Sequence, residues 1–330
     1  KIIIENYLDG DIEYLLYLLG KIIAARSVVI KNRRRFKNAV VEILANFSVY
    51  RTYPACGKKN KQDVHYIQQA LKNAEDRAGD YRREYEIIAD IFLNPHVSNE
   101  QEKKILEDFI TKFQQICSCL MAKGFEDTFL YNYNRFISLN DVGGDPSRFG
   151  ISRDRFHLFN KKRADRWPFT MNATSTHDTK RGEDSRARLN VLTEIGEKWR
   201  WKVGGWFKIN QDKKVKINGR YAPEKNDEYL IYQALAGSFP FDCEKTDSFK
   251  HRLKEYIVKS LREAKVNSNW FEPNSEYENA CNEFVDKLLN PSNENTFYSD
   301  FLEIGKEISH FGVFNSLSQT LVKVTSPGFP

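Results

Sequence analysis

Two stretches of this chain bring together residue types that can do chemistry. One runs roughly from Met121 to Gly150 and the other from Trp167 to Arg188, and each sets polar residues beside aromatic ones. The second contains His177-Asp178, an imidazole next to a carboxylate. Such a pair can hold the geometry of a strand-end turn, and together with His157 it could instead ligate a divalent metal, as in a helical phosphohydrolase of the histidine-aspartate type. In the first stretch, Lys123, Glu126 and Asp127 read either as the charged start of a helix or as groups facing a polar ligand. Asp145 and Arg148 flank Pro146 in a Gly-Gly-Asp-Pro turn, where a salt bridge and a ligand contact are equally reasonable.

The elements that must position these residues are mainly helical. Ile12, Leu15, Leu16, Leu19, Ile22 and Ile23 fall on one helical stripe, and Phe36, Val40, Ile43, Leu44 and Phe47 repeat it. Ser98 and Gln101 have capping-box spacing before Ile105, Phe109, Phe113 and Ile116, and Ser275 and Glu278 repeat it before Cys281, Phe284 and Leu288. A further stripe, Phe249, Leu253, Tyr256, Ile257 and Leu261, follows Thr246 and Asp247. Phe169 to Ser175 is short and β-branched enough to predict a buried strand that delivers His177-Asp178 at its end. Trp199 to Asp227, with Gly204-Gly205, Asn218-Gly219 and Pro223, reads as an irregular excursion between helices. The triplet Arg33-Arg34-Arg35 reads as a solvated face, and most of Trp199, Trp201, Trp206 and Trp270 as packing.

Composition bounds the possibilities further. The 330 residues, 41% hydrophobic and 13% aromatic, can bury a substantial core, and no long uncharged apolar run predicts a membrane span. The net charge of +6 is a small excess over 45 acidic residues and argues against a nucleic-acid partner. Cys56, Cys117, Cys119, Cys243 and Cys281 form no CxxC pair, so they read as buried thiols in a reducing cytoplasm. A chain that starts at Lys1 and stops at Ser326-Pro-Gly-Phe-Pro330 reads as a piece of something longer.

The segment Leu139-Asn-Asp-Val-Gly-Gly-Asp-Pro-Ser-Arg-Phe-Gly-Ile151, with Arg166-Trp-Pro-Phe169 and Ala173-Thr-Ser-Thr-His-Asp-Thr-Lys-Arg181, resembles the maltooligosyl trehalose synthases of the α-amylase superfamily. Met121-Ala-Lys-Gly-Phe-Glu-Asp-Thr128, Asp184-Ser-Arg-Ala-Arg-Leu-Asn190, Asn226-Asp-Glu-Tyr-Leu-Ile-Tyr-Gln233 and Ser268-Asn-Trp-Phe-Glu-Pro-Asn274 extend the likeness along the chain. The resemblance implies a retaining glycoside-hydrolase relative built on a (β/α)8 barrel with helical insertions. Such an enzyme uses no cofactor and isomerises the reducing-end α-1,4 linkage of maltooligosaccharides to α,α-1,1.

In that frame Asp178 is the carboxylate that stabilises the transition state and His177 donates to a neighbouring sugar hydroxyl. Lys123, Glu126, Asp127, Asn140, Asp145, Arg148, Lys180 and Arg181 become substrate-binding residues, and no metal is implied. The family's nucleophile motif, of the type GFRIDHPDGL, and its acid/base motif, of the type VEKIL, have no counterpart in the sequence. The expected fold is therefore mainly α: helical insertions with one or two barrel elements. The expected organisation is a helical region over 1–165, a barrel strand and His-Asp loop over 166–190, and a second mainly helical region over 191–330 leading to the last barrel strand. Its partners would be a maltooligosaccharide and the absent N-terminal barrel portion. The rival from another class is a non-catalytic helical interaction module.

Overall fold

The computed structural model describes residues 1–27, 32–53, 60–240, 246–292 and 294–330. It divides into two compact units, Lys1–Phe125 and Glu126–Pro330. The sequence reading puts its first boundary at 165/166. Ile137 belongs to the core of the second unit.

The first unit is helical throughout its described elements: α1 (Ile2–Tyr7), α2 (Asp9–Ala25), α3 (Arg33–Ala45), α4 (Lys61–Arg77), α5 (Arg82–Leu93) and α6 (Glu100–Leu120). The stripes seen in the sequence are its core: Leu15, Leu19 and Ile23 of α2 are buried with Val40 of α3 and Phe109 and Phe113 of α6. Capping differs in detail from the expectation. Asn99, rather than Ser98, caps α6 by accepting from Glu102 N, while Ser98 N donates to the Glu102 carboxylate, so the reciprocal box is displaced by one residue. The arginine triplet is partly paired, Arg33 with Glu13 at 2.6 Å and Arg35 with Glu84 at 2.9 Å.

The second unit contains α7 (Leu130–Asn132), α8 (Arg153–Arg166), α9 (Glu183–Val191), α10 (Gly196–Ile209), α11 (Lys225–Ser238), α12 (Thr246–Ala264), α13 (Ser275–Leu288) and α14 (Thr296–Thr325). Helix α9 lies against both α11 and α14. Trp206, Tyr232, Phe284, Phe297 and Phe301 sit in the centre of its core. The expected irregular excursion is instead regular over much of its length. Helix α10 runs through Gly204-Gly205 because Trp199, Val203 and Trp206 bury one face of it. Strands β1 (Val215–Ile217) and β2 (Arg220–Ala222) then pair antiparallel around Asn218 and Gly219. Both turn residues have positive φ, 49° and 83°, the pattern of a tight two-residue hairpin that Asn-Gly accommodates without strain.

Asn274, not Ser275, caps α13 through Tyr277 N. The predicted strand over 169–175 reduces to one parallel bridge, Met171 to Phe329, flanked by Asn172 N to Phe329 O at 2.6 Å and Phe329 N to Thr170 O at 2.8 Å. It is not buried: Phe169 and Met171 are about four-fifths exposed, since no further described strand covers them. Cys117 and Cys281 are buried thiols and Cys119 is half-buried, whereas Cys56 and Cys243 lie outside the described residues.

Candidate functional site

His177 and Asp178 occupy a turn between the extended segment and α9, and both side chains are exposed. The turn is stapled by two threonines. Thr176 N donates to Thr179 Oγ1 at 2.9 Å, Thr179 Oγ1 donates to Thr176 O at 2.5 Å, and Asp178 N reaches Thr176 Oγ1 at 3.3 Å. These local bonds are what threonine does well at turns, and they leave the Asp178 carboxylate and the His177 ring without a hydrogen bond or ion pair to any described residue.

The flanks of the turn are held by charged groups. Arg186, in the first turns of α9, donates to Thr174 O and to Ser175 Oγ at 3.2 Å, and pairs with Asp141 at 3.0 Å. Asp141 also accepts from Lys180 N at 3.3 Å, so one carboxylate ties the far side of the turn to the residue that holds its near side. The Lys180 ammonium pairs with Asp127 at 3.3 Å and lies over the Tyr131 ring at 4.8 Å. Arg181, 9% exposed, donates to Ile137 O at 3.0 Å, Asn140 O at 3.3 Å and Tyr256 Oη at 2.6 Å. Burial pushes the Tyr131 hydroxyl up from its ordinary value, so it stays neutral and can donate.

Several residues singled out in the sequence thus converge, through contacts to 180–181. Asp127 and Asn140 touch the segment that follows Asp178. Glu126 is buried and accepts from Gly143 N at 2.9 Å, which fixes the Gly-Gly turn. The Asn140 side chain is buried and donates to Leu130 O and Tyr133 O. Asp145 and Arg148 form an exposed ion pair at 3.1 Å, and the two hydrogen bonds from Ser147 hold the Asp145 carboxyl below its usual range. Lys123 belongs to the first unit. Asp141, Arg186 and Tyr256 escape the sequence reading. Their types and segments were visible, but nothing in one dimension shows that Asp141 and Arg186, 45 residues apart, would form a pair. Among the described residues no group of three or more His, Cys, Asp or Glu is placed to hold a metal ion, so the ligand set that includes His157 is not assembled.

A solvent-facing carboxylate and imidazole on a braced turn, with polar groups converging on the segment that follows it, is an arrangement able to hydrogen-bond a polar ligand. No family model matches the chain. A Mycobacterium tuberculosis protein named as a maltooligosyl trehalose synthase is 32% identical over 219 residues, 66% of this chain. The solved maltooligosyltrehalose synthase of Arthrobacter ramosus superposes with a TM-score of 0.77 at 28% identity, covering 98% of this chain and 37% of that one. A Sulfolobus tokodaii structure titled with the same synthase name gives 0.72 at 34% identity, covering 99% and 38%. Over these stretches the chain is similar to part of the maltooligosyl trehalose synthases. It spans 27% of the length of the curated relatives it matches.

Proposed function

We propose that this chain is the part of a maltooligosyl trehalose synthase that carries the transition-state-stabilising carboxylate. The intact enzyme converts the reducing-end α-1,4 linkage of a maltooligosaccharide into an α,α-1,1 linkage. The observation that carries this reading is the His177-Asp178 turn, braced on both flanks while its two functional side chains stay unengaged and open to solvent. In a retaining reaction a carboxylate nucleophile forms a glycosyl-enzyme and a second carboxyl group shuttles the proton. Asp178 suits a third role, in which it accepts short charge-assisted hydrogen bonds from ring hydroxyls as positive charge grows at the reacting carbon. His177 donates to an adjacent hydroxyl, and Glu126, Asp127, Asn140, Asp145, Arg148, Lys180 and Arg181 shape or line the reducing-end side. The nucleophile and the acid/base group belong to the remainder of the longer enzyme, which is the macromolecular partner of this segment. The cysteine usage is that of a cytoplasmic protein.

The test is Asp178→Asn in the full-length synthase. An amide is nearly isosteric but lacks the anionic acceptor, so turnover of maltopentaose falls by two to three powers of ten, about 3 to 4 kcal/mol, with the fold intact by circular dichroism. Near wild-type turnover in that variant sinks the assignment. The chain as it stands is expected to leave maltopentaose unchanged, in both reducing ends and α,α-1,1 product. Retaining chemistry needs two carboxyl groups about 5 to 5.5 Å apart across the anomeric carbon, and a lone third carboxylate keeps no proportionate share of the rate.

A further inference from the structure

Arg181 is more than nine-tenths buried, yet it donates to two backbone carbonyls and a phenol, and among the described residues no carboxylate pairs with it. A guanidinium withdrawn from water without a counter-charge is costly, and neutral acceptors relieve that cost only in part. It faces a cavity of about 250 Å³ in the second unit. The other strong charge on that cavity is Arg252 of α12, which is exposed and makes no hydrogen bond or ion pair to any described residue. Lys180 also lines it but is already balanced by Asp127. Two guanidinium groups without a carboxylate partner among the described residues therefore border one hollow, and no acidic residue is among the described residues that line it.

The remaining lining is of two kinds. Ser185, Ser238 and Tyr256 contribute hydroxyls. Ile137, Ala234, Phe249 and Leu253 form an apolar surface beneath them. The volume lies just below the roughly 300 to 1,000 Å³ of pockets that take drug-sized ligands. It matches something near a single sugar ring.

We propose that this cavity binds a small organic oxyanion, a phosphate or carboxylate borne on a body about the size of a monosaccharide. The anionic group sits between Arg181 and Arg252, where planar guanidinium donors suit either oxyanion, and the body lies on the apolar surface with its hydroxyls toward Ser185 and Ser238. This site shares Lys180 and Arg181 with the sugar-binding surface proposed above, but Arg252 is not part of that surface and the anion reading does not require the role given to Asp178.

The experiment is calorimetric titration of the chain itself with glucose 6-phosphate, glucuronate, glucose and inorganic phosphate. At least one of the two anionic sugars binds, glucose does not, and whichever anionic sugar is the tighter names the group. Arg252→Ala, at an exposed and unpaired position, leaves the melting temperature of the free chain unchanged and weakens that binding about tenfold, with Arg252→Lys between the two. Absence of binding by both anionic sugars up to about 10 mM, or binding that Arg252→Ala does not alter, overturns the proposal. Inorganic phosphate binding as tightly as glucose 6-phosphate overturns the part that assigns a sugar-sized body.

Discussion

Glu278 shows how single residues set the response of the second unit to pH. Its carboxylate accepts from Arg262 Nε at 2.8 Å, from Arg262 Nη2 at 2.7 Å and from Ser268 Oγ at 2.5 Å, and the Ser268 hydroxyl in turn accepts from the backbone of Asn274, the cap of α13. The Arg262 hydrogen bonds hold its carboxyl below the usual range. A group whose folded value is depressed adds stability above its unfolded value, and that stability is lost as pH falls through the folded value. Glu278→Gln is therefore expected to cost about 1 to 3 kcal/mol at pH 7, with the gap to wild type closing below about pH 4. Asp227, which accepts from Tyr277 Oη at 2.6 Å, runs the other way: burial raises its carboxyl, so its contribution is full in acid and is lost as pH rises. Urea unfolding of wild type, Glu278→Gln and Asp227→Asn across pH 3 to 7 separates the two. A Glu278→Gln deficit that stays constant into acid would contradict the charge-based account.

At the scale of elements, the helix that follows the His-Asp turn is held by two glycines. A Cβ on Gly312 of α14 would lie 2.7 Å from Arg188 Cγ and 3.2 Å from Arg188 Cα, and one on Gly237 of α11 would lie 2.7 Å from Ser185 Oγ. Both contacts are to α9, so its position depends on neighbours without side chains. Gly312→Ala is expected to destabilise the second unit by about 1 to 3 kcal/mol, since overpacking against backbone outweighs the roughly 1 kcal/mol gained in helix propensity. Gly205→Ala in α10, where a Cβ meets nothing within 4 Å, should instead gain up to about 1 kcal/mol. Equal effects from the two substitutions would show that propensity alone decides. This dependence on close approach also explains what the sequence conveys and what it hides. The stripes of α2, α3, α6 and α12 repeat every three to four residues and are readable because burial imposes that period. Gly204-Gly205 looks like a breaker in one dimension, and only the buried face formed by Trp199, Val203 and Trp206 shows that the helix continues. The segment 169–175 has strand-forming residues, but its one described β-bridge partner is Phe329, distant in sequence, so its burial could not be judged from its own composition. The turn bearing His177-Asp178 was legible from its motif, while its bracing by Asp141 and Arg186 depends on pairing across the fold.

Taken whole, the second unit carries apolar surface that nothing described covers. Helix α14 is buried through Phe297, Phe301, Ile304 and Ile308, but beyond Gly312 it contributes no buried residue. Its later half instead presents Phe314, Leu317, Leu321 and Val324, each more than half exposed and spaced to share one face of the helix. Phe169 and Phe329, stacked with ring centroids 6.1 Å apart, are exposed as well. Exposed apolar side chains gathered on one helix face in this way mark a contact surface. The chain spans 27 to 38% of its longer relatives, and on the function proposed above the rest of such an enzyme would cover this face. The chain expressed alone is accordingly expected to bind a hydrophobic dye and to self-associate as its concentration rises. Leu317→Asp with Leu321→Asp should reduce both effects while shifting stability by less than about 0.5 kcal/mol per site, because these side chains touch little within the chain. Light scattering and dye titration on the two proteins decide it: a wild-type chain that stays monomeric and dye-free at about 100 μM would mean that this face is not sticky enough to require a partner.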